Sequence, residues 1–251
     1  MAVTGSFQVD AFRKLAALEA GNYWFESRNR LIAWALARYF PHARTFLEMG
    51  CGTGFVLEGL RNTFPQIELA AAEMFPEGLA IARERVPGAT FFLADARTFD
   101  APKPYDVVGA FDVLEHIDDD AAAIGRLYDA TAPGGGALIT VPQHPALWSG
   151  RDEYACHVRR YRRRELIARL ESAGFRIVRT TSFVSLLLPL MALSRLRRRR
   201  PPAFDAHGEL RVAPWLNLAL RRCLDVERRL IRSGVSWPAG GSLLVVCARP
   251  R

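Results

Sequence analysis

The chain has 251 residues, 50% hydrophobic and 24% charged, which supplies one sizeable core and excludes a disordered, collagen-like or disulfide-stapled chain. Cys51, Cys156, Cys223 and Cys247 stand 105, 67 and 24 residues apart, so no close pair offers zinc or redox chemistry, and reduced thiols in a cytoplasmic protein are expected. The net charge of +8 divides into 12 Lys/Arg against 18 Asp/Glu over residues 1–150 and 22 against 8 over residues 151–251, that is −6 and +14, which points the C-terminal part toward an anionic surface.

Met1 to Asp10 lack the basic and apolar stretches of a signal peptide. Nowhere is there an apolar run of the roughly 20 residues that cross a bilayer. Residues 7–40 carry helical spacing, with Trp24, Leu31, Trp34 and Tyr39 among the apolar positions and Pro41 closing the region; one or two helices are expected. Strand-like runs follow at 45–49, 67–73, 90–94, 105–111 and 136–141, alternating with helical patterns at 55–63, 77–86 and 119–131. Such alternation predicts βαβ units and a parallel sheet covered on both faces. Pro133-Gly134-Gly135-Gly136 predicts a turn before the fifth strand. A helix at 164–173 and a strand at 175–181 come next, and the last strand is expected at 242–248.

Residues 183–241, 59 in all, are too many for a structureless loop. They open with an apolar segment, FVSLLLPLMAL at 183–193, and continue through SRLRRRRPP at 194–202. A helix around 214–233 places Leu216, Leu220, Leu224 and Ile231 on one face, with Arg221, Arg222, Arg228, Arg229 and Arg232 mostly on the flanks.

The most informative stretch is Glu48-Met49-Gly50-Cys51-Gly52-Thr53-Gly54, after the first strand and at the start of a helix. Glycines at alternate positions permit a sharp turn and close approach of backbone to a ligand. Glu73, 19 residues beyond Gly54, ends the second strand, where a carboxylate can accept both hydroxyls of a ribose. Asp95 ends the third, where it can receive an exocyclic amine. Glu48 beside the glycines would repel a pyrophosphate. Three carboxylates around one loop therefore suggest a nucleoside bearing positive charge, not a dinucleotide.

EMGCGTG (48–54), Glu73, Ala94-Asp95 and FDVLEHIDD (111–119) together resemble the class I S-adenosylmethionine-dependent methyltransferases. The likeness covers roughly residues 20–182 plus the last strand. It is strongest for the ubiquinone-biosynthesis-like small-molecule branch, in which YDVVGAFDVLEHIDDD (105–120), PGGGALITVP (133–142) and a motif like WSGRDEYACHVRRYRRREL (148–166) follow one another. The resemblance implies an α/β, Rossmann-like sheet of seven strands in the order 3-2-1-4-5-7-6, strand 7 antiparallel, with S-adenosyl-L-methionine across the ends of strands 1, 2 and 3 and S-adenosyl-L-homocysteine as product. By position, Glu48 and the backbone of Gly50, Cys51, Gly52 and Gly54 would hold the methionine moiety, Glu73 the ribose, and Asp95 with Ala96 the adenine. Met74 would pack on the adenine, and Phe111 and Asp112 would approach the sulfonium. Glu73 stands where Asp is more usual, which changes reach but not charge.

On the acceptor side, a proton acceptor is needed opposite the methyl group. The resemblance puts His157 first as the base; a histidine that merely hydrogen-bonds its loop is the plain alternative, and His116 and His144 compete. Tyr23 to Arg28 looks like the lid of this branch, against a simple packed aromatic cluster. Trp148, Arg160 and Tyr161 join Tyr23, Trp24, Arg28, His116 and His144 as candidate acceptor-binding residues, although an arginine run is also what a solvated face carries. No Asn/Asp-Pro-Pro-aromatic motif follows strand 4, which disfavours nucleic acid as a partner despite the basic charge. Some quinone-pathway relatives use magnesium, but the sequence displays no metal-ligand cluster.

The expected organisation is an N-terminal helical lid (1–44), a methyltransferase core (45–182 with 242–251) and a basic helical insertion (183–241). A helix over 183–193 would be only about 16 Å long, so the insertion is expected to lie on the anionic inner face of a membrane through residues 183–233, against the alternative of a buried helix with a solvated arginine tail. The expected activity is methyl transfer to a small, lipophilic acceptor at oxygen. Methylation at carbon of a quinone or lipid precursor, RNA methylation and a non-catalytic cofactor-binding role are the alternatives.

Overall fold

A computed structural model describes residues 9–197 and 212–251. The arginine run at 198–200 and the prolines after it lie outside the described residues.

The first strands show how the sequence builds the sheet. In β1 (Thr45–Met49), Phe46 points to one face and Leu47 and Met49 to the other, all three buried, because successive strand residues alternate sides. β2 (Glu68–Glu73) and β4 (Tyr105–Phe111) flank β1 in parallel register. β3 (Thr90–Leu93) forms one edge beyond β2. β5 (Thr131–Pro142) continues from β4, and β7 (Ser242–Ala248) inserts antiparallel between β5 and β6 (Arg176–Phe183). The seven-stranded order is β3-β2-β1-β4-β5-β7-β6, as the resemblance implied. The expected turn at Pro133 to Gly136 differs: the strand runs from Thr131, and the glycines form an irregular bulge within it, Tyr105 pairing with Thr131 but Val107 with Gly136. A Cβ on Gly135 would sit 2.4 Å from the Asp106 carbonyl oxygen, so close strand approach, not chain reversal, requires the glycine.

Helices cover both faces. On one lie α2 (Tyr23–Tyr39), α3 (Phe55–Thr63) and α4 (Pro76–Arg85), with the insertion helix α9 (Pro214–Arg232) against α2. On the other lie α5 (Asp120–Ala130) and α7 (Arg163–Ser172). The N-terminal region forms α1 (Val9–Glu19) and α2; Asn22 starts α2 by accepting a hydrogen bond from the Trp24 amide at 2.9 Å. Within 183–193 the helix α8 (Leu188–Arg197) begins five residues later than the apolar run, because β6 extends to Phe183. Of the four residues expected on the inner face of α9, Leu224 and Ile231 are buried, while Leu216 and Leu220 are half-buried. Among the described residues, no helix is long and apolar enough to cross a membrane.

Candidate active site

The five parallel strands end on one edge, and the candidate residues gather there. Gly50, Gly52 and Gly54 all have positive φ, 72°, 53° and 75°, a region that side chains disfavour. Their surroundings separate their roles. A Cβ on Gly50 would meet Val113 at 2.6 Å, and one on Gly54 would meet Ala82 at 2.9 Å, whereas one on Gly52 would meet nothing within 4 Å. Gly50 and Gly54 are therefore needed for packing, and Gly52 borders open space into which a ligand can come.

Of the three candidate carboxylates, Glu48 and Glu73 adjoin this loop and Asp95 follows β3, and their states differ. Glu73 caps it, its Oε2 accepting from the Gly52 amide at 2.8 Å and its Oε1 from Phe75 at 3.0 Å; burial nonetheless pushes its pKa up. Glu48 is buried, and its Oε2 has no hydrogen-bond partner. Burial drives its pKa from 4.5 to about 8, against the opposing charge of Arg28. A buried acid with an unpartnered oxygen near the end of β1 is a place where a cationic group would be stabilised. Asp95 is held below its ordinary pKa by the Arg97 side chain, and accepts from the Arg97 amide at 2.8 Å. Met74 is 41% exposed beside it, available as a platform for a flat ring; Ala96 is half-buried.

Behind the loop is a buried group that sequence reasoning missed. Thr53 donates to Glu19 of α1 at 2.6 Å, and Arg85 of α4 donates to Glu19 at 2.7 Å and to the Thr53 carbonyl at 3.2 Å. Glu19 thereby ties the N-terminal helix to the loop's underside. No local motif announces it, because the three residues are 34 and 32 positions apart.

At the β4 end, Phe111 is buried and stacked on Phe46, 6.4 Å between centroids. Asp112 adopts a positive φ of 57° and pairs with Arg28 of α2. Arg28 also lies over the Trp24 ring, 4.7 Å from its centroid. The start of α2 is thus latched to the end of β4, and Tyr23 is half-buried beside Trp24.

The segment after β5 is built around another missed residue. Asp152 is fully buried and closes a capping box with Ser149 at the start of α6 (Gly150–Tyr154); the S-x-x-D spacing was its available signal. Its Oδ1 accepts from Arg160 Nε at 2.7 Å and lies 2.9 Å from His157 Nδ1. Burial alone would raise the Asp152 pKa, but His157 and Arg160 outweigh it and hold the acid well below the carboxylate range. With Nδ1 committed to a carboxylate, the neutral imidazole keeps its proton there and presents Nε2 as a lone pair. His116 stacks edge-on to His157, with centroids 4.7 Å apart. Although part of His116 is exposed, desolvation of its ring in this crowded group, then the neighbouring His157, lower its pKa to about 4, which favours the neutral form at physiological pH.

Glu115, completely buried with both carboxylate oxygens unpartnered, completes a group with His116 and His157 whose ligand atoms lie within 4.8 Å of one another. One carboxylate and two imidazoles could hold a divalent cation; their separation by 41 residues hid the cluster from sequence inspection. His144 has a positive φ of 63°, and Trp148 is 37% exposed. Tyr161 is not brought to the cluster's open side: it is fully buried, its hydroxyl bonded to Asp120 and, at 3.2 Å, to the Leu114 carbonyl.

Residues 19–180 match the family described as a methyltransferase domain. The chain belongs to that family. The glycine loop and the unpartnered oxygen of Glu48 suit a cationic methionine moiety such as that of S-adenosyl-L-methionine. Among curated relatives, a trans-aconitate 2-methyltransferase of Variovorax paradoxus is 36% identical over 122 residues, 47% of each chain. A probable S-adenosylmethionine-dependent methyltransferase of Mycolicibacterium smegmatis is 28% identical over 168 residues, 66% of this chain and 64% of the relative. The chain thus spans about half the length of the first of these and under two thirds of the second. Among solved structures, phosphoethanolamine N-methyltransferase 2 of Haemonchus contortus in complex with S-adenosyl-L-methionine superposes with a TM-score of 0.65 at 18% identity, over 99% of this chain and 59% of that one. At that identity the likeness concerns the fold.

Proposed function

We propose that the protein methylates a small, lipophilic acceptor at oxygen, at the cytoplasmic side of a membrane. The observation that supports this most is the Asp152–His157 pair: with Nδ1 held 2.9 Å from the carboxylate, the neutral imidazole keeps its proton there and leaves Nε2, 4.0 Å from Glu115 Oε1, to take a proton. When bound, the cofactor supplies an electrophilic sulfonium methyl. Glu48, the backbone of Gly50, Cys51, Gly52 and Gly54, and the end of β4 at Phe111 and Asp112 hold its methionine end. Glu73 takes the ribose, and Met74, Asp95 and Ala96 take the adenine. Tyr23, Trp24 and Arg28 cover the acceptor from the N-terminal lid, with His116, His144, Trp148 and Arg160 on the other side. His157 removes the acceptor proton as its oxygen attacks. The lid, core and insertion act as the three parts of one methyltransferase unit.

A second reading comes from the trans-aconitate 2-methyltransferases among the relatives: a small carboxylic acid as acceptor. A carboxylate is ionised at neutral pH and needs no base, so His157 would then only orient it. The two readings separate in one experiment, transfer of labelled methyl from S-adenosyl-L-methionine into a cell extract, with organic-soluble, aqueous-acid and RNA fractions counted apart and trans-aconitate run as a defined acceptor. Label in the organic fraction that falls by about 10²-fold or more in His157→Ala supports the first reading. Label confined to the aqueous acids and insensitive to His157→Ala replaces it with the second, and label in RNA rejects both.

A further inference from the structure

Among the described residues, the outer face of the insertion is exposed, and its composition is unusual. Trp215, Leu218, Val226 and Leu230 of α9 are 73%, 48%, 48% and 37% exposed. Their spacing places them on one side of the helix, with the exposed arginines Arg222 and Arg229 in the same stripe. Both acids of this helix are engaged by neighbours, Asp225 at the edge of the stripe and Glu227 on the buried face. Asp225 accepts from Arg228 at 2.9 Å and from Arg30 of α2 at 3.3 Å. Glu227 is buried and accepts from the Ser185 and Leu186 amides at 2.7 and 2.8 Å. With Asp225 paired to arginines and Glu227 buried, Arg222 and Arg229 give the outward stripe a positive charge. Leu190 and Leu193 of α8, 58% and 44% exposed, add to the apolar surface of the same insertion, which holds 11 arginines and four acids over residues 183–241.

We propose that the outward faces of α8 and α9 dock on an anionic phospholipid bilayer, α9 lying in the plane of the interface. A helix of 19 residues, about 28 Å long, with an indole, aliphatic side chains and arginines sharing one face, can bury its apolar atoms among the lipid chains. Its guanidinium groups then reach the phosphates. Nucleic acid would satisfy the arginines but leave the leucines and valine in water; an apolar protein patch would bury the leucines and strand the arginines. A bilayer with acidic headgroups satisfies both.

The placement also gives the surface a use. Asn217 of α9 accepts from the Tyr23 amide at 2.9 Å and donates to the Gly21 carbonyl at 2.9 Å, so the docking helix is pinned to the start of the lid. α8 packs on the turn Pro145–Leu147 that precedes Trp148. The membrane face thus borders both sides of the proposed acceptor entrance. Docking itself does not depend on the acceptor's chemistry.

The test is flotation of the purified full chain with vesicles of phosphatidylcholine alone or with about a third phosphatidylglycerol, at about 0.15 M salt. The protein is expected to float with the anionic vesicles only. Trp215→Ser with Leu218→Ser, and separately Arg222→Gln with Arg229→Gln, are each expected to weaken that binding by about tenfold or more, with Tm and S-adenosyl-L-methionine affinity unchanged. Absence of flotation overturns the proposal, as does flotation that neither double substitution reduces. Concentration-dependent dimerisation abolished by the same substitutions, without vesicle binding, would assign the face to a second copy, and RNA binding abolished by Arg222→Gln with Arg229→Gln would assign it to nucleic acid. Because methyl transfer is not read, failure here leaves the proposed reaction standing, and failure of the reaction leaves the docking standing.

Discussion

Glu48 and Asp152 are both removed from water, 2% and 0% exposed, yet their surroundings treat them oppositely. Glu48 keeps an oxygen without a partner and is pushed up to about pH 8 by burial. Asp152 accepts from Ser149, His157 and Arg160 and is held far down. The glycine-loop side therefore carries an unmet demand for positive charge, while the proposed acceptor side answers its own demand with residues of the chain. The first arrangement reserves free energy for a ligand; the second spends none and fixes geometry in advance, as a positioned base requires. The uneven charge of the two parts of the sequence is one expression of this division.

The largest test breaks the satisfied member. Asp152→Ala leaves the buried Arg160 guanidinium unpaired and frees the His157 ring. Removing one partner of a buried ion pair costs about 3–5 kcal/mol, and for a chain of this size Tm should fall by roughly 10 °C, measured by thermal unfolding. Asp152→Asn keeps the shape and isolates the tautomer effect: kcat should drop by about 10²-fold or more with KM little changed. An Asn variant with wild-type kcat would show that His157 is not held for chemistry.

The unsatisfied member should respond more mildly and with the opposite sign in stability. Glu48 has a folded pKa of about 8 against 4.5, so the proton is favoured in the folded state. Stability linked to this group is fully present below pH 4.5 and is lost as pH rises through about 8. Glu48→Gln should therefore raise the Tm of the ligand-free protein at pH 8 and above. It should also weaken S-adenosyl-L-methionine binding by about 10- to 100-fold, the worth of one charge-assisted hydrogen bond. In the wild type, binding a cation requires Glu48 to ionise, so affinity should rise by up to tenfold per unit between pH 6 and 8 and then level off. Calorimetry across that range checks it, and a flat profile would place the cation elsewhere.

How much of this contrast could be read from sequence follows the distance over which it is made. The glycine loop, Glu73 and Asp95 stand at or just beyond strand ends within a repeating βα pattern, so their places in the fold were legible from spacing. So was the sheet, because Phe46, Leu47 and Met49 alternate cleanly. The Glu19–Thr53–Arg85 tie and the gathering of Glu115, His116 and His157 were not, since each joins residues from separate elements and depends on how helices dock. Pro133 to Gly136 misled for a related reason: the same glycines that permit a turn also permit the close strand approach seen at Gly135. On α9, the hydrophobic spacing identified Leu224 and Ile231 correctly, but it could not show that Leu218 and Val226 face outward, because an arginine-rich helix with apolar residues on two sides fits either burial.

The smallest effect concerns the third carboxylate, which lies between the two extremes. Asp95 is partnered, like Asp152, but its Arg97 partner is 43% exposed, so the pair is screened by water and worth at most about 1 kcal/mol. An adenine amine reaching Asp95 has to compete with that guanidinium. Arg97→Ala removes the competitor while the Arg97 backbone amide, replaced by that of alanine, still orients the carboxylate. Affinity for S-adenosyl-L-methionine should then tighten by no more than about fivefold, the equivalent of that surface pair, with Tm unchanged. A loss of affinity would mean instead that Arg97 touches the ligand, and Asp95 would belong with Asp152 among the acids that serve by positioning a neighbour.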